Sequence, residues 1–220
     1  MVSDQADTEV TEQETGEVPA LDPELLERRD TALAQVVKFG DPVLKSRASE
    51  VVDFGDALHG DVERMLHVMH DGMGVGLAAT QLGILRRVLV FQAGSEAQPS
   101  ALVNPAVVWL SDELAVAEEG CLSIPRISVD VERPLHARVN GVDLEGDPVV
   151  LEASGLEARV LQHEIDHLDG ILILDRTIRE QQREALRALR EGGSYSPTTE
   201  LEPDGEGDAE PDARPAPAEA

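Results

Sequence analysis

The sequence predicts an α+β domain in which mainly antiparallel strands pack around a central helix that carries His-Glu-x-x-His. Residues 57–71 place apolar side chains at helical spacing. Short apolar runs separated by turn residues follow between residues 88 and 152, and they indicate a β-rich region. The motif comes after these runs, in a segment that begins with a helix-start signal.

The first predicted helix ends at Gly72 and Gly74, and the strands begin after this glycine-rich stretch. Turn residues such as Asn104-Pro105 separate the apolar runs. We predict strands at residues 88–91, 102–103, 106–110, 114–117, 121–124, 127–131, 136–144 and 149–152.

Ser154 and Glu157 have the Ser-x-x-Glu spacing of a capping box, in which the two side chains satisfy free backbone N–H groups at a helix start. The helix that they begin is expected to run to about residue 169 and to end at Gly170. Residues 171–174 are predicted to form a short strand, and residues 177–190 a final helix.

The formal net charge is −26, and residues 1–30 and 191–220 each contribute −8 of it. Both ends are acidic and poor in apolar residues, so we expect them to be disordered extensions of one folded domain at residues 31–190. Such acidity argues against nucleic-acid specificity, and no apolar run is long enough to span a membrane. The single cysteine, Cys121, fits a cytoplasmic protein.

The spacing in His-Glu-x-x-His predicts a metal site. His163 and His167 lie about one helical turn apart and project from one face, where both can reach a single ion. Glu164 is rotated by about 100° and can contact a water on that ion. A catalytic site needs a third protein ligand. Cys121 is the favoured candidate, because Glu180 and Glu184 are more simply part of a solvated helix face.

Residues 74–81 read Gly-Val-Gly-Leu-Ala-Ala-Thr-Gln, and the first six match a dinucleotide-binding pattern. That pattern requires a preceding strand, whereas a helix is predicted here, so a nucleotide site is disfavoured. The segment can instead present backbone groups to an extended ligand, with the Gln81 amide as a donor. A plain tight turn explains it equally well.

Three segments together resemble the bacterial peptide deformylase family: residues 74–81, Glu-Gly-Cys-Leu-Ser at 119–123 and Gln-His-Glu-Ile-Asp-His-Leu-Asp-Gly at 162–170. The resemblance covers about residues 36–190. It implies that residues 31–190 are a deformylase catalytic domain that hydrolyses the formyl group from N-formylmethionine at new protein N-termini. It also implies an ion held by Cys121, His163 and His167, typically Fe(II), with Ni, Co or Zn as substitutes.

In this hypothesis Glu164 transfers a proton from water to the leaving amine. The resemblance assigns oxyanion stabilisation to the Gln81 side chain and the Leu122 backbone N–H. Gly76 and Leu122 are expected to line a site small enough to select formyl. The hypothesised walls of the methionine pocket are Val75, Leu122 and Val160.

Asp166 is expected to point away from the ion, and by resemblance its partner is Arg133. A solvent-exposed Asp166 is the alternative. The expected partners of the protein are N-formylmethionyl nascent peptides. Arginines of the last helix leave transient ribosome contact open, namely Arg176, Arg179, Arg183, Arg187 and Arg190.

Two other functions are compatible with the motifs. A His-Glu-x-x-His zinc peptidase would cleave peptide bonds and would not need Cys121. A non-catalytic homologue would bind metal or peptide without turnover.

Overall fold

A computed structural model of the chain describes residues 22–94 and 97–197. The helices in this part are α1 (Pro23–Leu33), α2 (Asp56–Asp71), α3 (Gly155–Leu168), α4 (Ile173–Arg176) and α5 (Arg179–Glu191), with short 3-10 helices at Pro42–Lys45 and Ala79–Leu82. The strands are β1 (Gly76–Ala78), β2 (Val88–Phe91), β3 (Ser100–Leu110), β4 (Leu114–Cys121), β5 (Ile124–Pro134), β6 (His136–Val142) and β7 (Pro148–Ser154).

The strands form two antiparallel sheets. The larger has the order β1-β2-β3-β6-β7, and β4 pairs with β5 in a separate hairpin. β1 is an edge strand of the large sheet, paired along one side with β2. The α+β fold class with mainly antiparallel strands is confirmed.

Strand β2, which lies between β1 and β3, is buried on both faces, which explains its unbroken apolar sequence. Side chains alternate along a strand, so Val88 and Val90 pack in one apolar cluster with α2, whereas Leu89 and Phe91 pack in another with α3. α3 also contacts β5 of the hairpin. The helix that carries the motif therefore lies between the large sheet and the hairpin.

Three local predictions were wrong. Residues 171–174 were expected as a strand, but Ile173 begins the helical turn α4, since a short apolar run has the same pattern in either state. Residues 121–124 span the turn between β4 and β5. The stretch around Asn104 is a bulge inside the continuous strand β3, because the Asn104 side chain bonds both the N–H and the C=O of Val51.

Regular structure extends beyond both ends of the predicted domain at residues 31–190. The structure describes residues 22–30, and Pro23 already begins α1, which is capped by the Asp22 carboxylate. At the other end α5 runs to Glu191, and Tyr195 pairs with Ile127. The remaining parts of the two expected disordered extensions, 1–21 and 198–220, lie outside the described residues.

None of the helices in the described ranges combines the length and the apolar character required to cross a bilayer.

Candidate metal centre and active site

The end of β4 and one face of α3 bring three metal-ligating side chains together. Cys121 is the last residue of β4, and His163 and His167 lie on α3. Their donor atoms all lie within 4.8 Å of one another. A sulfur and two imidazole nitrogens at this spacing are suited to Zn²⁺, Fe²⁺, Ni²⁺ or Co²⁺.

A neighbouring carboxylate orients the imidazole of His163, whereas His167 Nδ1 has no hydrogen-bond partner among the described residues. His163 Nδ1 lies 2.9 Å from Glu119 Oε2, so a neutral ring protonated at Nδ1 keeps its Nε2 lone pair for a metal. His167 Nε2 lies 3.2 Å from Cys121 Sγ. Burial by itself raises the pKa of the Cys121 thiol, but the two imidazoles outweigh burial and hold the pKa well below its usual value. The site thus favours the thiolate that a metal requires.

Glu119 is a functional residue that sequence reasoning missed. Its carboxylate is 5% exposed and accepts hydrogen bonds from Arg133 Nε and Nη2 at 2.7 and 3.0 Å and from Arg159 Nη1 at 2.7 Å, besides its contact with His163. The neighbouring Gly120 and Cys121 drew attention to this segment, but a Glu on a strand carries no spacing signal. Its importance follows only from the partners that the fold brings to it.

Asp166 also contacts Arg133. Arg133 Nη1 donates to Asp166 Oδ2 at 2.8 Å, and Arg176 Nε donates to it at 3.0 Å. Asp166 is 8% exposed, and it does not belong to the set of metal-ligating atoms. Arg133 on β5 therefore joins two carboxylates, Glu119 on the neighbouring strand β4 and Asp166 on α3.

Glu164 is buried beside the three metal-ligating residues and faces the edge strand β1. A Cβ atom on Gly76 would come within 2.5 Å of Glu164 Oε1, so glycine leaves the room that this carboxylate occupies. Glu164 Oε2 has no hydrogen-bond partner among the described residues. Burial raises the pKa of Glu164. An unpartnered buried carboxylate of raised pKa is suited to proton transfer.

Gln81 lies next to the thiol. Its Oε1 accepts from the Ala78 N–H at 2.9 Å, which directs its amide NH₂ toward Cys121 Sγ at 3.5 Å and Ser123 Oγ at 3.3 Å. The amide is therefore a fixed donor at the edge of the metal site. Leu122 follows Cys121 directly, with its side chain packed near Gly72 and Gly74.

One cavity of about 740 Å³ connects these groups. It is lined by the glycine segment, by the Cys121 loop and by α3, and all four residues predicted to bind substrate border it, namely Val75, Gly76, Leu122 and Val160. Val75 is 47% exposed and lies at the rim, whereas Val160 is 5% exposed and lies deep. The size is that of a small-molecule or peptide site.

The fold and this site define a class, that of hydrolases with a His-Glu-x-x-His metal helix. A profile of the polypeptide deformylase family matches residues 33–183. Peptide deformylase 1 of Corynebacterium glutamicum is 44% identical over 161 residues, which are 72% of this chain and 95% of the relative. The peptide deformylase of Thermotoga neapolitana is 46% identical over 149 residues, which are 68% of this chain and 89% of the relative.

Solved structures agree. The crystal structure of peptide deformylase from Thermotoga maritima has 45% sequence identity and a TM-score of 0.63, over 65% of this chain and 96% of that one. The structure of a peptide deformylase from Synechococcus elongatus in complex with actinonin has 39% sequence identity and a TM-score of 0.67. The match covers 72% of this chain and 88% of that one. The chain belongs to the polypeptide deformylase family.

Proposed function

We propose that this chain is a metal-dependent peptide deformylase that hydrolyses the formyl group from the N-terminal methionine of newly made proteins. One observation carries the proposal: the cavity brings the Cys121, His163 and His167 donor set beside Glu164, a buried carboxylate without a partner among the described residues. Membership of the family supports the same reaction.

We propose Cys121, His163 and His167 as the metal ligands. A divalent ion held by them would act as a Lewis acid. It would lower the pKa of water toward neutral pH and polarise a carbonyl group. Two observations support this ligand set: Glu119 orients the His163 ring, and the donor atoms of the three residues lie within 4.8 Å of one another.

The chain's own groups then carry out the proton transfers. Glu164 accepts a proton from the attacking water and returns it to the amine nitrogen that leaves as the C–N bond breaks. The Gln81 amide and the Leu122 N–H donate to the oxyanion that develops on the formyl oxygen. The backbone of Gly76 lies so close to the Glu164 carboxylate that a Cβ atom on residue 76 would overlap it, which leaves a narrow site. Such a site favours the smallest acyl group.

The edge strand β1 suggests how the peptide binds. Its one paired side faces β2, so an extended substrate can add to its other side with backbone hydrogen bonds. Leu122 and Val160 would surround the methionine side chain, with Val75 at the rim. Backbone pairing of this kind does not by itself select the side chains that follow the first residue.

The decisive test measures formate release from formyl-Met-Ala-Ser beside cleavage of the unformylated peptide, with metal analysis of the same sample. Deformylation without peptide-bond cleavage is expected, and acetyl-Met-Ala-Ser should react far more slowly. A metal-loaded protein that releases no formate would refute the proposal. Cleavage of the peptide bond would instead support the zinc peptidase, and metal binding without any turnover the non-catalytic homologue.

For the native ion we propose Fe²⁺, with Ni²⁺, Co²⁺ or Zn²⁺ as substitutes. A thiolate and two imidazoles suit each of these ions, but only the ferrous form is readily oxidised together with its thiolate. Enzyme prepared without oxygen should contain iron and lose its activity in air, while the nickel-substituted enzyme should keep its activity. Equal decay of the two forms would contradict iron as the oxygen-sensitive component.

We also propose that the enzyme acts in the cytoplasm, where formylated chains are made, and that it contacts the ribosome transiently. Arg183 and Arg187 on α5 are 74% and 65% exposed and share Glu184 as a surface partner, whereas Arg176 is engaged with Asp166. Reversing the charge of Arg183 and Arg187 should abolish cosedimentation with ribosomes at low salt. Unchanged cosedimentation would exclude this surface.

A further inference from the structure

Helix α1 lies almost wholly outside the part of the chain that matches the family, which begins at residue 33. It nevertheless forms part of the active-site wall, because Arg29 and Leu33 line the same cavity as Cys121 and Glu164. Arg29 and Leu33 are four residues apart and so share one face of the helix. This wall can give the chain a substrate preference that the family domain alone does not encode.

Several contacts fix α1 in place. Ala32 is 3% exposed in the apolar cluster of α2, and Arg28 Nη2 lies 2.5 Å from Asp71 Oδ1. Lys38 Nζ donates to the Leu33 carbonyl at 2.8 Å and to the Leu122 carbonyl at 3.3 Å. The end of α1 is thereby tied to the residue beside Cys121. A side chain on this face has a defined position relative to the metal site.

The charges around the cavity leave Arg29 available. Arg159 bonds Glu119 at 2.7 Å, and Glu118 accepts from Ser196 at 2.8 Å. Arg29 is half-buried, and no carboxylate of the described residues lies within 4.0 Å of its guanidinium. Of the other cations that line the cavity, Arg126 also has no such partner among the described residues, but it is exposed near the start of β5, with a φ of 63°, rather than on a docked helix.

We propose that Arg29 is a specificity-determining residue that binds a carboxylate of the substrate downstream of formylmethionine. This inference rests on the proposed deformylase function. A guanidinium binds a carboxylate through two parallel hydrogen bonds, and partial burial between Leu33 and the cavity strengthens the pair relative to a fully exposed one. The enzyme therefore prefers formylated peptides that carry Asp or Glu within the first few residues after methionine.

The experiment compares formyl-Met peptides that carry Asp or Asn at position 2, 3, 4 or 5 and are otherwise identical. The readout is the ratio of kcat/KM for the Asp peptide to that for the Asn peptide. At one or two positions the ratio should be about three- to fivefold higher in the wild type than in Arg29→Gln. The difference should appear in KM. Arg29→Lys should retain part of the preference, and Arg29→Glu should reverse it.

Arg190→Gln is the matched control, because it removes the same charge from an exposed site on α5 that does not border the cavity. It corrects for long-range repulsion between an acidic peptide and an acidic protein. A loss of α1 docking alone would slow both peptides equally and leave the ratio unchanged. Equal ratios in the wild type and Arg29→Gln at all four positions would overturn the proposal, as would loss of the preference in Arg126→Gln but not in Arg29→Gln.

If the chain is not a deformylase, formate release will be absent with every peptide, which is a separate outcome. In that case the affinity for the peptides tests the role of Arg29. The Asp and Asn peptides are titrated into the wild type, Arg29→Gln and Arg190→Gln, each also carrying Glu164→Gln. Tighter binding of the Asp peptide that is lost only with Arg29 supports the proposal, and equal binding overturns it.

Discussion

At the scale of single residues, Glu119 is the carboxylate that contacts a proposed metal ligand, His163, and two arginines at once. Burial raises the pKa of Glu119, but hydrogen bonds from His163 and Arg133 outweigh it and bring the pKa to about 2. The carboxylate is thus ionised at any pH at which the enzyme would work. It orients His163 Nδ1 while it neutralises the buried guanidinium of Arg133 and the partly buried one of Arg159.

Glu119→Gln should therefore lower metal affinity by about 10- to 100-fold. It should also destabilise the metal-free fold, and the sign of the pH dependence follows from the lowered pKa. The ionised carboxylate stabilises the fold fully above its unfolded-state pKa near 4.5. This contribution to the free energy of unfolding, about 3 kcal/mol, is lost as the pH falls from 4.5 toward 2. Competition with a chelator and urea unfolding of metal-free protein at several pH values measure the two effects.

Glu152→Gln is the control for this prediction, because Glu152 pairs with Arg138 on the surface, where it is 64% exposed. It should cost at most about 1 kcal/mol and leave metal affinity unchanged. If the wild type and Glu119→Gln lose stability in parallel between pH 4.5 and 2, the assigned role of Glu119 is wrong.

Gly76→Ala tests how tightly Glu164 is held. The new methyl group would overlap Glu164 Oε1, which lies 2.5 Å from its position, so the carboxylate must move. We expect kcat to fall by about 10²-fold with metal content unchanged, because a displacement of this size disturbs proton transfer and not ligation. Gly60→Ala, where the methyl group meets nothing within 4 Å, should leave kcat unchanged. Normal turnover by Gly76→Ala would contradict the role given to Glu164.

The sequence predicted those parts of the site that have a characteristic spacing or a unique residue type. His163 and His167 were found by their separation, and Cys121 because it is the one thiol. Glu119 and Arg159 could not be found in this way. Their partners are distant along the chain, with Arg159 forty residues from Glu119, and no local pattern records such a pairing.

At the scale of secondary-structure elements, the start of α3 was predicted at the correct place but from a capping contact that the structure does not contain. The helix begins where the capping box was predicted, but Ser154 makes no side-chain cap. Gly155 has a φ of 57°, which turns the chain away from ordinary capping geometry, and the Ser154 hydroxyl bonds His136 Nδ1 at 2.8 Å instead. The preceding strand and the glycine define this helix start.

Ser154→Ala should consequently cost less than the approximately 1 kcal/mol of a true cap. Asp41→Ala is the comparison, because the Asp41 carboxylate does accept from the Val43 N–H, at 2.9 Å. Chemical denaturation of the two variants gives both free energies of unfolding. A larger loss for Ser154→Ala than for Asp41→Ala would show that the serine caps α3 in solution.

The docking of α1 should depend on pH. The hydrogen bond from Arg28 lowers the pKa of Asp71 against the opposing effect of burial. Because the folded-state pKa is the lower one, the Arg28–Asp71 pair stabilises α1 above the ordinary aspartate pKa and is lost as pH falls through the lowered value. Hydrogen exchange in α1 should therefore lose protection on acidification in the wild type, after correction for intrinsic exchange rates.

Asp71→Asn should show weak α1 protection at neutral pH and little further change on acidification. Asp61→Asn is the control, since Asp61 pairs with Arg86 and makes no hydrogen bond to α1. Full protection of α1 in Asp71→Asn would mean that apolar contacts such as that of Ala32 are sufficient to hold the helix.

At the scale of the whole molecule, the proposed metal ligands come from two parts of the fold. Cys121 belongs to the β4–β5 hairpin, whereas His163 and His167 belong to the helix packed on the large sheet. The pairs of Arg133 with Asp166 and of Arg159 with Glu119 span the same junction. The α+β class could be predicted from the apolar pattern, but this junction could not, because it depends on charged groups that meet only in the folded chain.

Metal removal should therefore weaken the entire fold and not the active site alone. An ion that binds only the native state adds about 4 kcal/mol at a free concentration of about 1,000 Kd, which corresponds to about 8 to 16 °C in Tm for a domain of this size. Scanning calorimetry with and without a chelator measures the shift. Cys121→Ala should show almost no metal-dependent shift, whereas Glu164→Gln, which leaves all three ligands intact, should show nearly the full one. If chelation leaves the wild-type Tm unchanged, the ion does not join the hairpin to α3.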